Sequence, residues 1–88
     1  MMEIQKGSIV FSKAGRDKGK FMAVADVTQN GIWVVDGKER PIEKPKMKNP
    51  KHLSPTKTTI KNEEMEANSR LRKALKRFAE KASEEGDV

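Results

Sequence analysis

The sequence predicts a mainly β fold, a small antiparallel barrel with one amphipathic α-helix appended after it. Three observations predict it. Short apolar runs rich in Val, Ile and Phe follow one another through the first part of the chain. Turn pairs, Asn30-Gly31 and Asp36-Gly37, stand between or after them. The last third then changes period, placing apolar residues three and four apart.

The first strand is "SIVFS" (8–12), the second "KFMAVADV" (20–27) and the third "GIWVVD" (31–36). Asn30-Gly31 supplies a pair that tolerates the positive φ angles of a two-residue hairpin turn. Asp36-Gly37 repeats that signal, so "KERPIE" is expected as a fourth strand, short or at an edge because Pro41 has no donor. "KHL" (51–53) closes the set, with Ser54-Pro55 expected to stop it. Closure into a barrel would remove the exposed edges that so small a sheet otherwise presents.

In the last third, Leu71, Ala74, Leu75, Phe78, Ala79 and Ala82 form an apolar stripe on one helical face. Asn68 or Ser69 suits the start of this helix and Gly86 its end. Residues 56–67 are polar and aperiodic. Met65 lies off the stripe, which favours the later start over one at Glu63, Glu64 and Glu66. The expected division is a barrel at 1–56, a polar linker at 57–67, the helix at 68–84 and a frayed tail at 85–88.

Composition bounds the function. The chain has 88 residues, 34% of them hydrophobic and 36% charged, so one modest core is all it can bury. It contains no cysteine, which excludes disulfides and thiolate metal sites. "MMEIQKGSIVF" holds no apolar run of signal-peptide length, so a soluble, cytoplasmic protein without a membrane partner is expected. Net charge is +6, and residues 1–57 hold all of the excess, ten Lys and two Arg against six acids. Within that part, "KPKMKNPKHLSPTK" (44–57) carries five Lys and no acid. Such clustering favours a polyanion partner, chiefly nucleic acid, through counterion release.

The connection "AGRDKGK" (14–20) concentrates the question. Lys13, Arg16, Lys18 and Lys20 sit between the first two strands, offset only by Asp17. Gly15 and Gly19 allow positive φ and close approach of another backbone, so main-chain N–H groups can join the side chains around a phosphate. A solvated, glycine-bearing turn is the alternative.

"KGSIVFSKAGRDKGKFMAVADV" resembles the KOW motif, in which a strand enters a basic loop, a glycine follows a basic pair, and a second apolar strand leaves. Gly19, between Lys18 and Lys20, matches the hallmark glycine. Downstream, "DGKERPIEKPKMKNPKHLSPT" is similar to small bacterial KOW proteins described as RNA-binding and ribosomal-protein-like. The resemblance spans residues 5–56. It implies an SH3-like barrel of about five strands, with ribosomal or other structured RNA as the partner class and ribosomal proteins as neighbours. Carried over by position, Gly19 would shape the loop and Lys13, Arg16, Lys18 and Lys20 would face phosphate. From charge and loop chemistry, Gly15 and the cations Lys44, Lys46, Lys48 and Lys51 with His52 are expected to belong to the same RNA-binding surface. The helix at 68–84 departs from the ribosomal relatives.

With three Phe, one Trp and no Tyr, the chain offers many cations and few stacking platforms. Backbone and shape recognition of folded RNA is therefore expected, rather than sequence reading along a single strand. Trp33 reads as core, with a base-stacking or partner-facing surface the alternative; Ile32 and Val34 point to the opposite face and look equally core-like, so which face is inside stays open at this level. His52 is the only histidine, so it builds neither a catalytic triad nor a metal site. It reads as structural packing or an RNA contact. Asp26 and Asp36 read as turn residues. No enzyme, cofactor or small-molecule substrate is expected. On the helix, Arg70, Arg72, Lys73, Lys76 and Arg77 offer a further surface for RNA or a partner. The competing reading is a protein-interaction module of a transcription or translation complex, docking through the barrel or helix face. KOW-type barrels also occur in elongation factors, where they contact polymerase or other proteins.

Overall fold

The computed structural model describes residues 4–85. Five strands form one antiparallel sheet, β1 (Ser8–Ser12), β2 (Phe21–Thr28), β3 (Gly31–Val35), β4 (Lys46–Lys48) and β5 (Leu53–Thr59), in the order β4-β3-β2-β1-β5. A single helix, α1 (Asn68–Glu85), follows. The protein is thus mainly β with one C-terminal helix.

β1, β2 and β3 read as near-continuous apolar runs because both faces of the sheet are covered. Val10, Met22, Val24, Ile32, Val34 and Leu53 form one buried cluster, joined by Ile4. Ile9, Ala23 and Val35 face the other way and meet Leu71 and Leu75 of the helix. The apolar stripe therefore docks on the chain's own sheet. Phe78 seals that contact edge-to-face on Phe21, which meets Phe11 in the same manner, with centroids 5.0 and 5.1 Å apart. Leu71 is fully buried, so truncating it to Ala removes about 2–5 kcal/mol. Met65, off the stripe, joins the same cluster from a 3-10 turn at Asn62–Met65.

Four local expectations are corrected. The β2–β3 turn is Gln29-Asn30, because Thr28 pairs with Gly31 and no described residue other than glycine has positive φ. Gly31 belongs to the strand, where a Cβ would lie 2.9 Å from the Lys48 carbonyl. "KERPIE" is a loop, not a strand. The Asp36 carboxylate accepts the N–H groups of Lys38 and Arg40, each at 2.8 Å, so they are unavailable to a ladder. The fourth strand comes later, at Lys46–Lys48, inside the lysine-rich segment. Finally, "KHL" is not itself a strand. Pro50–His52 is a 3-10 turn, and β5 runs from Leu53 through Pro55 to Thr59, into the segment expected as a linker. Pro55 is tolerated because β5 is an edge strand. At the register irregularity beside it, the Thr56 hydroxyl donates to the Ile9 carbonyl (2.7 Å).

Trp33 is half-buried and lies outside both clusters, so it is not the core residue expected. A bulge between Val24 and Asp26 sets it opposite Asp26, while Met47 flanks it on β4. Ile32 and Val34 take the inside. Asn68 starts the helix, but its side chain accepts the Ile42 N–H (2.8 Å) and donates to Glu43 (2.7 Å), anchoring the 41–43 loop. Gly86, the expected helix end, lies outside the described residues, as does most of the 85–88 tail.

Candidate nucleic-acid interface

The loop between β1 and β2 is closed at its base and shaped by its two glycines. Ser12 N–H donates to the Lys20 carbonyl and Gly19 N–H to that of Ser12, both at 2.9 Å. Gly15 at φ +83° and Gly19 at φ +90° turn the chain within that frame. Beyond its two chain neighbours, no atom of the described residues lies within 4 Å of where a Gly19 Cβ would sit, so its outer side is open to an approaching chain.

Asp17 points inward beneath this loop. Its carboxylate lies 3.3 Å from Arg40 Nε and 3.5 Å from Lys48 Nζ, and the Asp17 and Lys48 side chains are only 3% and 8% exposed. Lys48 Nζ also donates to the Ala14 carbonyl (3.2 Å). A three-charge cluster, nearly buried at Asp17 and Lys48 and a quarter exposed at Arg40, thus fixes the loop from below. Turning Asp17 in leaves its neighbours Arg16 and Lys18 exposed on either side.

The sequence-predicted cations divide accordingly. Lys13, Arg16 and Lys18 are exposed on the loop, and Lys44, Lys46, Lys51 and His52 are exposed on and around β4 and the 3-10 turn. The Lys13 N–H donates to the His52 carbonyl (2.8 Å), so the fold brings the loop against Lys51 and His52, almost forty positions on. Asn49 steadies that turn by accepting the Lys51 N–H (2.9 Å).

Lys48 and Lys20 behave otherwise. Lys48 is committed to Asp17, and Lys20 pairs with Glu39 and lies 4.0 Å from Asp36. The hydrogen bond from Lys20 holds Glu39 below the usual carboxylate range, and that bond raises Lys20 above an ordinary lysine. On the helix, Arg72 donates to the Gly37 carbonyl (2.8 Å), Arg70 to that of Glu63 (3.4 Å), and Arg77 pairs with Glu64 (2.8 Å). Lys73 and Lys76 are exposed, with no carboxylate within 4.0 Å among the described residues.

Sequence reasoning missed Asp17, Arg40 and Glu39. One acid in a loop of cations was the available signal for Asp17. Its partners come from positions 40 and 48, and nothing in the sequence ties them to it. Compared with protein families the chain finds no match, and compared with curated proteins it finds no significant relative.

Proposed function

We propose that this protein binds structured RNA, with ribosomal RNA the expected class, as a KOW-type module associated with the ribosome or translation in the cytoplasm. The junction of Lys13 with His52 carries this reading. It joins two cation-rich segments into one surface holding Lys13, Arg16, Lys18, Lys51 and His52. Beside them Gly19 leaves room for a phosphate backbone. Asp17 is turned inward on Arg40 and Lys48, and Glu39, near Arg16, is held by Lys20, so the excess charge facing outward is positive, as a polyanion requires. The work is binding, not catalysis.

Two features support an SH3-like barrel. The cluster around Val10 and Val34 is built from one face of one sheet with Ile4, and its residues are nearly inaccessible. A sheet buries its own face in that way by curling on itself. The two edge strands, β4 and β5, are also joined directly by the 3-10 turn at Pro50–His52.

The test is RNA affinity across a salt series. Four phosphates on Lys13, Arg16, Lys18 and Lys51 would give a log–log slope of about −3 to −3.5. Arg16→Ala/Lys18→Ala/Lys51→Ala should weaken binding and flatten the slope to about −1. RNA affinity that is indifferent to salt, or a triple variant that binds like wild type, would sink the reading. A protein-docking module is then next, through Trp33 and its neighbour Met47, which is 41% exposed.

A further inference from the structure

The cationic surface does not end at the loop. An open groove runs from Gly19 to the helix, lined on the sheet side by Lys20, Phe21 and Lys38 and on the helix side by Arg72, Leu75, Lys76 and Ala79. Arg72 and Lys76 lie four apart, as do Leu75 and Ala79, so the helix presents a cationic ridge directly beside an apolar one. Asp36 also lines the groove, but its side chain is 10% exposed, its Oδ1 accepts two loop N–H groups and its Oδ2 lies 4.0 Å from the Lys20 ammonium. Lys38 and Lys76 have no carboxylate within 4.0 Å among the described residues. Arg72 spends one NH group on the Gly37 carbonyl and keeps the rest of its fork.

We propose that this groove holds an unpaired strand of the RNA bound by the basic loop, its phosphates along Lys38, Arg72 and Lys76 and its ribose and base faces on Phe21 and Ala79, which are partly exposed above the buried Leu75. The proposal rests on the RNA reading above and gives the helix a part in it. A duplex keeps its bases in the stack and shows a neighbour chiefly phosphates and sugars, so an apolar lining serves only nucleotides whose faces are free. Phe21 is a fixed surface for them, held between Phe11 and Phe78. Continuity decides for RNA over an acidic peptide. The groove opens at Gly19, the glycine of the basic loop, so a strand leaving the loop passes the Lys20–Glu39 pair at the mouth and enters directly between Lys38, Arg72 and Lys76.

The experiment compares an RNA hairpin with the same hairpin carrying a single-stranded uridine tail, each across a salt series. In the wild type the tail should tighten binding and steepen the slope. Lys38→Ala/Lys76→Ala should remove most of the tail's contribution, losing about 1.4 units of slope and about 25-fold in affinity at 0.1 M salt for two single-strand contacts and leaving the Arg72 contact. Binding of the bare hairpin should be unchanged. Lys61→Ala/Lys81→Ala removes equal charge from exposed positions outside the groove lining and should spare the tail effect. A tail without effect on the wild type, or a control that loses as much as the groove variant, would overturn the proposal while leaving the loop reading intact. A poly-glutamate peptide that displaces the tail but not the hairpin, at matched charge concentration, would make the groove a peptide site and also overturn it. A bare hairpin that fails to bind at all would overturn both.

Discussion

The Asp17 carboxylate lies 3.5 Å from the Lys48 ammonium, with both side chains nearly withdrawn from water. Two residues that the sequence sets in separate basic segments thus form the underside of one loop. Breaking a buried pair from one side strands the other charge. Arg40, a quarter exposed, would be stranded with Lys48. Asp17→Asn should therefore destabilise the fold by about 3 kcal/mol in urea unfolding. Lys48→Met should cost less, because Arg40 still neutralises Asp17. Equal and additive losses in the double variant would show that the pair is not coupled.

Lys18 and Lys20 flank Gly19 symmetrically in sequence and differ in state. Lys18 is exposed, whereas Lys20 already has Glu39 as its counterion. Lys18→Ala should flatten the RNA salt slope by about 0.7–0.9, the value of one phosphate contact. Lys20→Ala should change it less, since phosphate would first have to displace a carboxylate. A larger effect from Lys20 would mean that RNA breaks the Glu39 pair on binding.

Glycines of like φ should respond unlike one another to alanine. Gly37, at φ +80°, would place a Cβ 2.6 Å from the Asn68 carbonyl at the start of the helix. Gly37→Ala should cost about 2–4 kcal/mol, the left-handed strain plus the clash. Gly19, with nothing near it, should cost only the strain, about 1 kcal/mol. Thermal or urea unfolding of the two variants checks the order.

The Lys20–Glu39 pair should act over a defined pH window. Glu39 is lowered, so its contribution is complete above the ordinary Glu pKa of about 4.3 and is lost as pH falls through the lowered value. Lys20 is raised, so its contribution is complete below about 10.4 and is lost as pH rises through the raised value. The stability difference between wild type and Glu39→Gln should be flat from about pH 5 to 10 and shrink at both ends. A difference that instead varies near neutrality would place the titrating group elsewhere.

Elements carried by local pattern were legible. β1 matches "SIVFS", β2 and β3 depart from the expected runs by a residue, and the helix starts at Asn68. Less legible was the stretch from 36 to 59, where hydrogen bonds rather than hydropathy decide the structure. Asp36 captures the N–H groups that a strand at "KERPIE" would have used. β4, as Lys-Met-Lys, has no apolar alternation, because it is a short edge strand with exposed Lys46 and Met47. In the candidate interface, the loop and its glycines were legible as chemistry, while the commitment of Lys20 and Lys48 to carboxylates was not.

By itself the sequence determined a basic, cysteine-free chain of short strands with one amphipathic helix, and it located the cations. Periodicity, turn chemistry and charge are local properties that neighbouring residues carry on their own. Only the tertiary structure decided which cations face outward. That choice depends on partners brought from positions 36, 39, 40 and 48 to the loop at 13–20, nearly buried for Asp17 with Lys48 and exposed for Lys20 with Glu39. The same packing laid the helix on its own sheet and opened, between Lys38 and Lys76, a groove that no segment of the chain contains alone.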